Sequence, residues 1–167
     1  MDKIPQYREA LKDYLEADRL APGNAEYLNM VGRAYQELGE YRKALDYLER
    51  ALALDMKAPG GAGNPDTAVR LNNIGSAWDS LGQYEKAIGF YEKALAIDRQ
   101  AFGEQHPNVA CDLNNLGSAY YARGDFRKSV EYFKKALAIM EKCVGRQHPN
   151  TIKSKKNLEM AEKAARR

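Results

Sequence analysis

Apolar residues recur along the chain at three- and four-residue steps, as in Leu71, Ile74, Trp78 and Leu81, followed by Tyr84, Ile88, Tyr91 and Leu95. That spacing lays one apolar stripe along an α-helix, so each run predicts an amphipathic helix with its polar residues on the other side. A glycine, here Gly82, separates the two runs. The local pattern is helix, tight turn, helix.

The pattern is periodic. Gly32, Gly75 and Gly117 recur at intervals of 43 and 42 residues, inside LNMVGRAY, LNNIGSAW and LNNLGSAY. Gly39, Gly82 and Gly124 keep the same intervals, as do Ala51, Ala94 and Ala136 within YLERALAL, YEKALAI and FKKALAI. Gly82 stands where a helix closes with a left-handed residue. Gly75 lies mid-helix, where its cost of about 1 kcal/mol in helix propensity predicts close packing of a neighbouring helix. Ala51, Ala94 and Ala136 are the small residues that would let the next hairpin approach.

The combination L-x-x-[VIL]-G-x-x-[YW], then G-x-[YF], A-x-x-x-[LYF] and a further Ala resembles the tetratricopeptide repeat. The resemblance implies an all-α fold, a right-handed α-solenoid of antiparallel helix pairs. The repeat is eight or nine residues longer than the usual period of about 34. The extra residues fall in AFGEQHPNVA and CVGRQHPNTI, so the second helix is expected to run on to Gly103 or Gly145. His-Pro-Asn then opens the next helix, since proline suits the first helical position. This long form, with its H-P-N and L-N-N-L-G elements, resembles the kinesin-light-chain-like subset of the family. No sustained heptad region accompanies it.

The expected organisation is a single domain over 1–167. A second helix without its first occupies 5–21, hairpins occupy 25–58, 66–103 and 108–145, and a capping helix occupies 149–166. The loop over 56–65, with Gly60, Gly61 and Gly63 in place of Gly-x-Gln-His-Pro, is expected to be the most mobile connection. Tyr7, Ala10, Tyr14, Ala17 and Leu20 stand 34 residues before Tyr41, Ala44, Leu48, Ala51 and Leu54. The first helix therefore offers Tyr7, Leu11 and Tyr14 to a partner helix, supplied either by a longer array or by a second copy in a homodimer. At the other end, Lys155 and Glu159 replace the Leu and Gly of earlier copies, which reads as a solvating, basic cap.

The resemblance also implies that the first helices of the hairpins line a concave groove. The register then sets Asn29, Arg33, Asn72, Asn73, Ser76, Asn114, Asn115, Ser118, Tyr121, Lys156 and Asn157 along it. Asparagine is a mediocre helix former, yet its amide both donates and accepts, which suits gripping the main chain of an extended peptide. The same asparagines could instead bond within or between helices. Arg33, Tyr121 and Lys156 would add selectivity, with a preference for an acidic segment. The chaperone-tail clamp of this family needs a basic pair in its third repeat, and Cys111 and Asn115 stand there instead.

Charge and chemistry narrow the function further. The 26 basic and 23 acidic residues leave a net charge of +3, which gives no field implying nucleic acid. No apolar run approaches the roughly 20 residues of a membrane span, so a cytoplasmic protein is expected. Cys111 and Cys143 form no disulfide framework and read as buried or half-buried thiols. His106 and His148 fall on neighbouring hairpins, too far apart to share a metal, and His106 is expected to bond between hairpins. No nucleotide, zinc or nucleophile motif is present, so no catalytic residue, metal or cofactor is expected. The sequence therefore points to a scaffold that holds a peptide segment of another protein. Self-assembly through the incomplete first hairpin is the alternative.

Overall fold

The computed structural model describes residues 4–166, in which eight α-helices account for most of the chain and no strand occurs. They are α1 (Ile4–Leu20), α2 (Ala25–Glu37), α3 (Tyr41–Lys57), α4 (Pro65–Ser80), α5 (Tyr84–Phe102), α6 (Pro107–Ala122), α7 (Phe126–Val144) and α8 (Pro149–Ala165). Each helix packs on the next in the chain, so the molecule is a linear stack of antiparallel hairpins.

The even-numbered helices carry deliberate starts. Asn24 and Asn64 accept backbone N–H bonds through Oδ1, from Glu26 at 2.9 Å and from Asp66 at 2.9 Å. His106 and His148 do the same through Nδ1, from Asn108 and Asn150 at 3.2 Å. Proline follows the cap in α4, α6 and α8, where its missing N–H costs nothing. His106 therefore caps its own helix and stacks on Phe102 at 4.3 Å, rather than bonding between hairpins as expected.

The turn inside each hairpin is closed by one glycine. Gly39, Gly82 and Gly124 have φ of 76°, 72° and 89°, a region that a side chain disfavours. The following N–H groups of Glu40, Gln83 and Asp125 reach back 2.9 Å to the carbonyls of Tyr35, Trp78 and Tyr120. These bonds satisfy the last carbonyls of α2, α4 and α6.

Packing within a hairpin pairs a bare backbone with a large side chain. A Cβ added to Gly32, Gly75 or Gly117 would lie 2.6, 2.6 or 2.7 Å from Leu48, Tyr91 or Phe133. Packing between hairpins relies on Ala51, Ala94 and Ala136, none of which is exposed at all. The even helices α2, α4, α6 and α8 touch one another in succession, whereas α3, α5 and α7 do not. The stack therefore curves with the even helices on its inner side.

The connections between hairpins are held by local bonds. The first linker is wound into a short 3-10 turn at Gly61–Gly63, and Gly61 is buried so tightly that a Cβ would sit 1.7 Å from the Asp55 carbonyl. Thr67 Oγ1 donates to the Gly61 carbonyl at 2.6 Å, as Thr151 does to Gly145 at 2.8 Å. Cys111 and Cys143 are free but exposed, not buried: Cys111 shares a face of α6 with Asn115 and Ser118, and Cys143 lies in the last turn of α7, its Sγ donating to the Gln105 carbonyl at 3.4 Å. α1 packs against α2, reaches α3 through the Asp18–Arg50 ion pair at 3.9 Å, and buries none of its residues fully.

Candidate binding groove

The inner helices bring the predicted asparagines together, and their first partners are one another. Asn73 Nδ2 donates to Asn29 Oδ1 at 2.9 Å, Asn115 to Asn72 at 3.2 Å, and Asn157 to Asn114 at 3.2 Å. The rule is constant: the first asparagine of one L-N-N motif accepts from the second asparagine position of the next inner helix. Met30 and Lys156 occupy the two places of this ladder for which the described helices offer no partner asparagine. Amide pairing across the seam fits the half-buried setting, since an unpaired amide there would lose its bonds to water.

Pairing uses only part of each amide. Asn73, Asn115 and Asn157 keep their Oδ1 atoms without a partner among the described residues, and these residues remain half-exposed. Asn29 is the exception, at 3% exposure. Two bonds extend the network beyond the asparagines. Asn72 Nδ2 donates to Asp112 Oδ1 at 2.5 Å, and Gln36 Nε2 donates to the Asn73 carbonyl at 3.0 Å. Asp112 was not among the expected site residues. Asp112 could have been found by aligning Arg70, Asp112 and Ser154, which share one register position.

The other expected residues divide. Arg33, Ser76, Ser118 and Lys156 are exposed on the inner helices. Ser118 Oγ donates to the carbonyl of Asn114 in its own helix at 3.0 Å. Tyr121 is half-buried, its ring 5.2 Å from that of Phe126. Lys153 and Lys163 join Lys156 as exposed bases on α8, and Arg33, Gln36, Asn73 and Ser76 line a shallow polar hollow nearer the start. The groove thus offers amides along its floor and positive charge towards α8. Among the described residues no group of His, Cys, Asp or Glu side chains is arranged to hold a metal, and no helix is long and apolar enough to cross a membrane.

A curved stack of glycine-closed hairpins with an open inner face is a helical-repeat binding architecture, not a closed pocket fold. The tetratricopeptide repeat family model matches residues 24–100 and 66–142, and the chain belongs to that family. Among solved structures it is similar to BtubC (BKLC) from P. vanneervenii, with a TM-score of 0.85 and 28% identity over 96% of this chain and 66% of that one. A putative kinesin light chain with nearly identical TPR-like repeats, from Podospora anserina, aligns with a TM-score of 0.78 and 24% identity over 96% of this chain and 80% of that one. The apo form of RapI aligns with a TM-score of 0.79 and 20% identity over 97% of this chain, though over only 45% of that one. The latter two likenesses concern the fold alone. A search of curated proteins finds no match.

Proposed function

We propose that this protein is an interaction scaffold whose concave groove holds an extended segment of another protein. The observation that carries the reading is the row of amide oxygens on Asn73, Asn115 and Asn157, left over once the asparagines have bonded one another. Such oxygens can accept main-chain N–H bonds from a segment without demanding a particular sequence. Arg33 at one end and Lys153, Lys156 and Lys163 at the other favour a segment carrying Asp or Glu.

The test uses side chains that have no part in the amide ladder. A panel of labelled extended peptides, acidic, neutral and basic, is titrated with the protein and read by fluorescence polarisation. Acidic members should bind best, and Arg33→Glu with Lys156→Glu should weaken them about tenfold or more, a change of about 1.4 kcal/mol. Ser76→Trp should block the groove for all of them. Binding that survives both changes in a folded protein would place the interaction elsewhere.

One observation favours a second reading, self-association through α1. Its residues Tyr7, Leu11 and Tyr14 stay half-exposed, and no helix lies on their open side. A second copy could cover that face.

A further inference from the structure

The seams between hairpins repeat in geometry but not in charge. At the first, Asp55 on α3 meets Arg70 on α4, with Oδ2 2.8 Å from Nε in a buried ion contact that lacks the alignment of a hydrogen bond. At the third, the same two positions hold Met140 and Ser154, both buried and neutral. At the second they hold Asp98 on α5 and Asp112 on α6. Two acids therefore face each other where the first seam has a pair of opposite charges.

These acids are deeply placed, at 4% and 1% exposure, and lie within hydrogen-bonding reach of each other. Asp98 Oδ1 and Asp112 Oδ2 are buried and receive no N–H or O–H from any other described residue. Asp112 Oδ1 is satisfied by the Asn72 amide at 2.5 Å. Two carboxylates in contact and out of water repel strongly, whereas one proton between them converts the repulsion into a short O–H···O⁻ bond. A shared proton is a donor for a pair on which the other described residues leave one orphaned oxygen per carboxyl.

The surrounding groups do not supply a substitute cation in contact with the pair. Arg99 on α5 favours the ionised form of Asp112, but its guanidinium bonds to Glu104, at 3.0 Å. His106 and Asn108, at the start of α6, face Asp98 and favour its ionised form, but the His106 Nδ1 is occupied by the Asn108 N–H. α8 brings Lys153 to Cys111, the residue before Asp112, while α7 brings Tyr132 towards Arg99. From α4 comes only the neutral amide of Asn72.

We propose that Asp98 and Asp112 form a proton-holding carboxyl pair that closes the α5–α6 seam and makes it, together with Asn72 in the groove, responsive to pH. Burial is the main cause, and the Asp98 charge adds to it; together they push Asp112 up to about 7, against the opposing pull of the Asn72 bond. Burial raises Asp98 as well. An unfolded aspartate releases its proton at about 3.9, so the folded chain binds this proton more tightly than the unfolded one does. The associated stability is complete below about pH 4 and is lost as pH rises through about 7. Above that, two charges face each other with Asn72 as the neutral donor between the seam and the groove.

The experiment is a carboxyl-carbon NMR titration of the full chain, with Asp98→Asn and Asp112→Asn to assign the signals, accompanied by thermal unfolding from pH 5 to 8. The wild-type chain should show an aspartate carboxyl titrating near neutrality, and its Tm should fall across that range. Asp112→Asn should abolish the near-neutral signal and flatten the fall. Asp112→Arg, which reproduces the acid–arginine arrangement of the first seam, should flatten it too. Carboxyls that both titrate near 4, or a folded Asp112→Asn protein with the wild-type slope, would overturn the proposal. Should neither variant fold, the wild-type carboxyl titration decides by itself.

Discussion

Asn72 is the most connected member of the groove floor, and replacing it tests the ladder most sharply. Its amide donates to Asp112 at 2.5 Å and accepts from Asn115 at 3.2 Å, so Asn72→Ala strands one buried and one half-buried polar group on the next hairpin. The bond to a carboxyl contributes about 1–2 kcal/mol and the amide–amide bond about 1 kcal/mol. Alanine returns about 0.5 kcal/mol through its better helix propensity. The net loss should be about 2 kcal/mol, or a fall in Tm of about 4–8 °C for a domain of this size. Asn157→Ala breaks one bond, to Asn114 at 3.2 Å, and should cost about 0.5 kcal/mol. Urea unfolding of both variants, with circular dichroism at the helix band, measures the difference. A double-mutant cycle of Asn72→Ala with Asn115→Ala should show a coupling of about 1 kcal/mol. If Asn72→Ala costs no more than Asn157→Ala, or the cycle is additive, the amides do not staple the hairpins.

Two further outcomes follow from the packing. Gly117→Ala should destabilise the fold by about 1–2 kcal/mol, because overpacking against Phe133, 2.7 Å from the new Cβ, exceeds the helix-propensity gain of about 1 kcal/mol. Gly89→Ala, mid-helix with nothing within 4 Å, should stabilise it by about 0.5–1 kcal/mol, and equal effects at the two sites in thermal unfolding would contradict the packing account. Self-association through α1 should raise the mass seen by light scattering as concentration increases, and Tyr7→Lys with Tyr14→Lys should suppress the rise. A mass that stays at 18.8 kDa throughout would remove that reading.

Much of the fold was legible because its causes are local. The spacing of apolar residues sets helix faces, a glycine with positive φ closes each hairpin, and His-Pro starts a helix wherever it occurs. Gly75 and Gly117 announced close approach because a helix keeps a costly residue only where something else needs the space. Candidate groove residues could be enumerated from register for the same reason. What register could not give was the direction in which each amide bonds. The asparagines turn to one another because adjacent inner helices approach closely enough for Asn29 and Asn73 to meet, 44 residues apart in the chain. His106 was legible as a helix start but not as the cap itself, and the burial of Gly61 in the Gly-rich linker shows only once α3 is in place.

By itself, then, the sequence determined the class of fold, the positions of the turns and the residues that share the inner face, since each depends on backbone preferences within a few residues. The tertiary structure alone decided that the groove asparagines bond across the seams and that Asp98 and Asp112 are thrown together out of water. Those facts arise from side chains of different helices competing for the same small space, and only the packed stack fixes which of them meet.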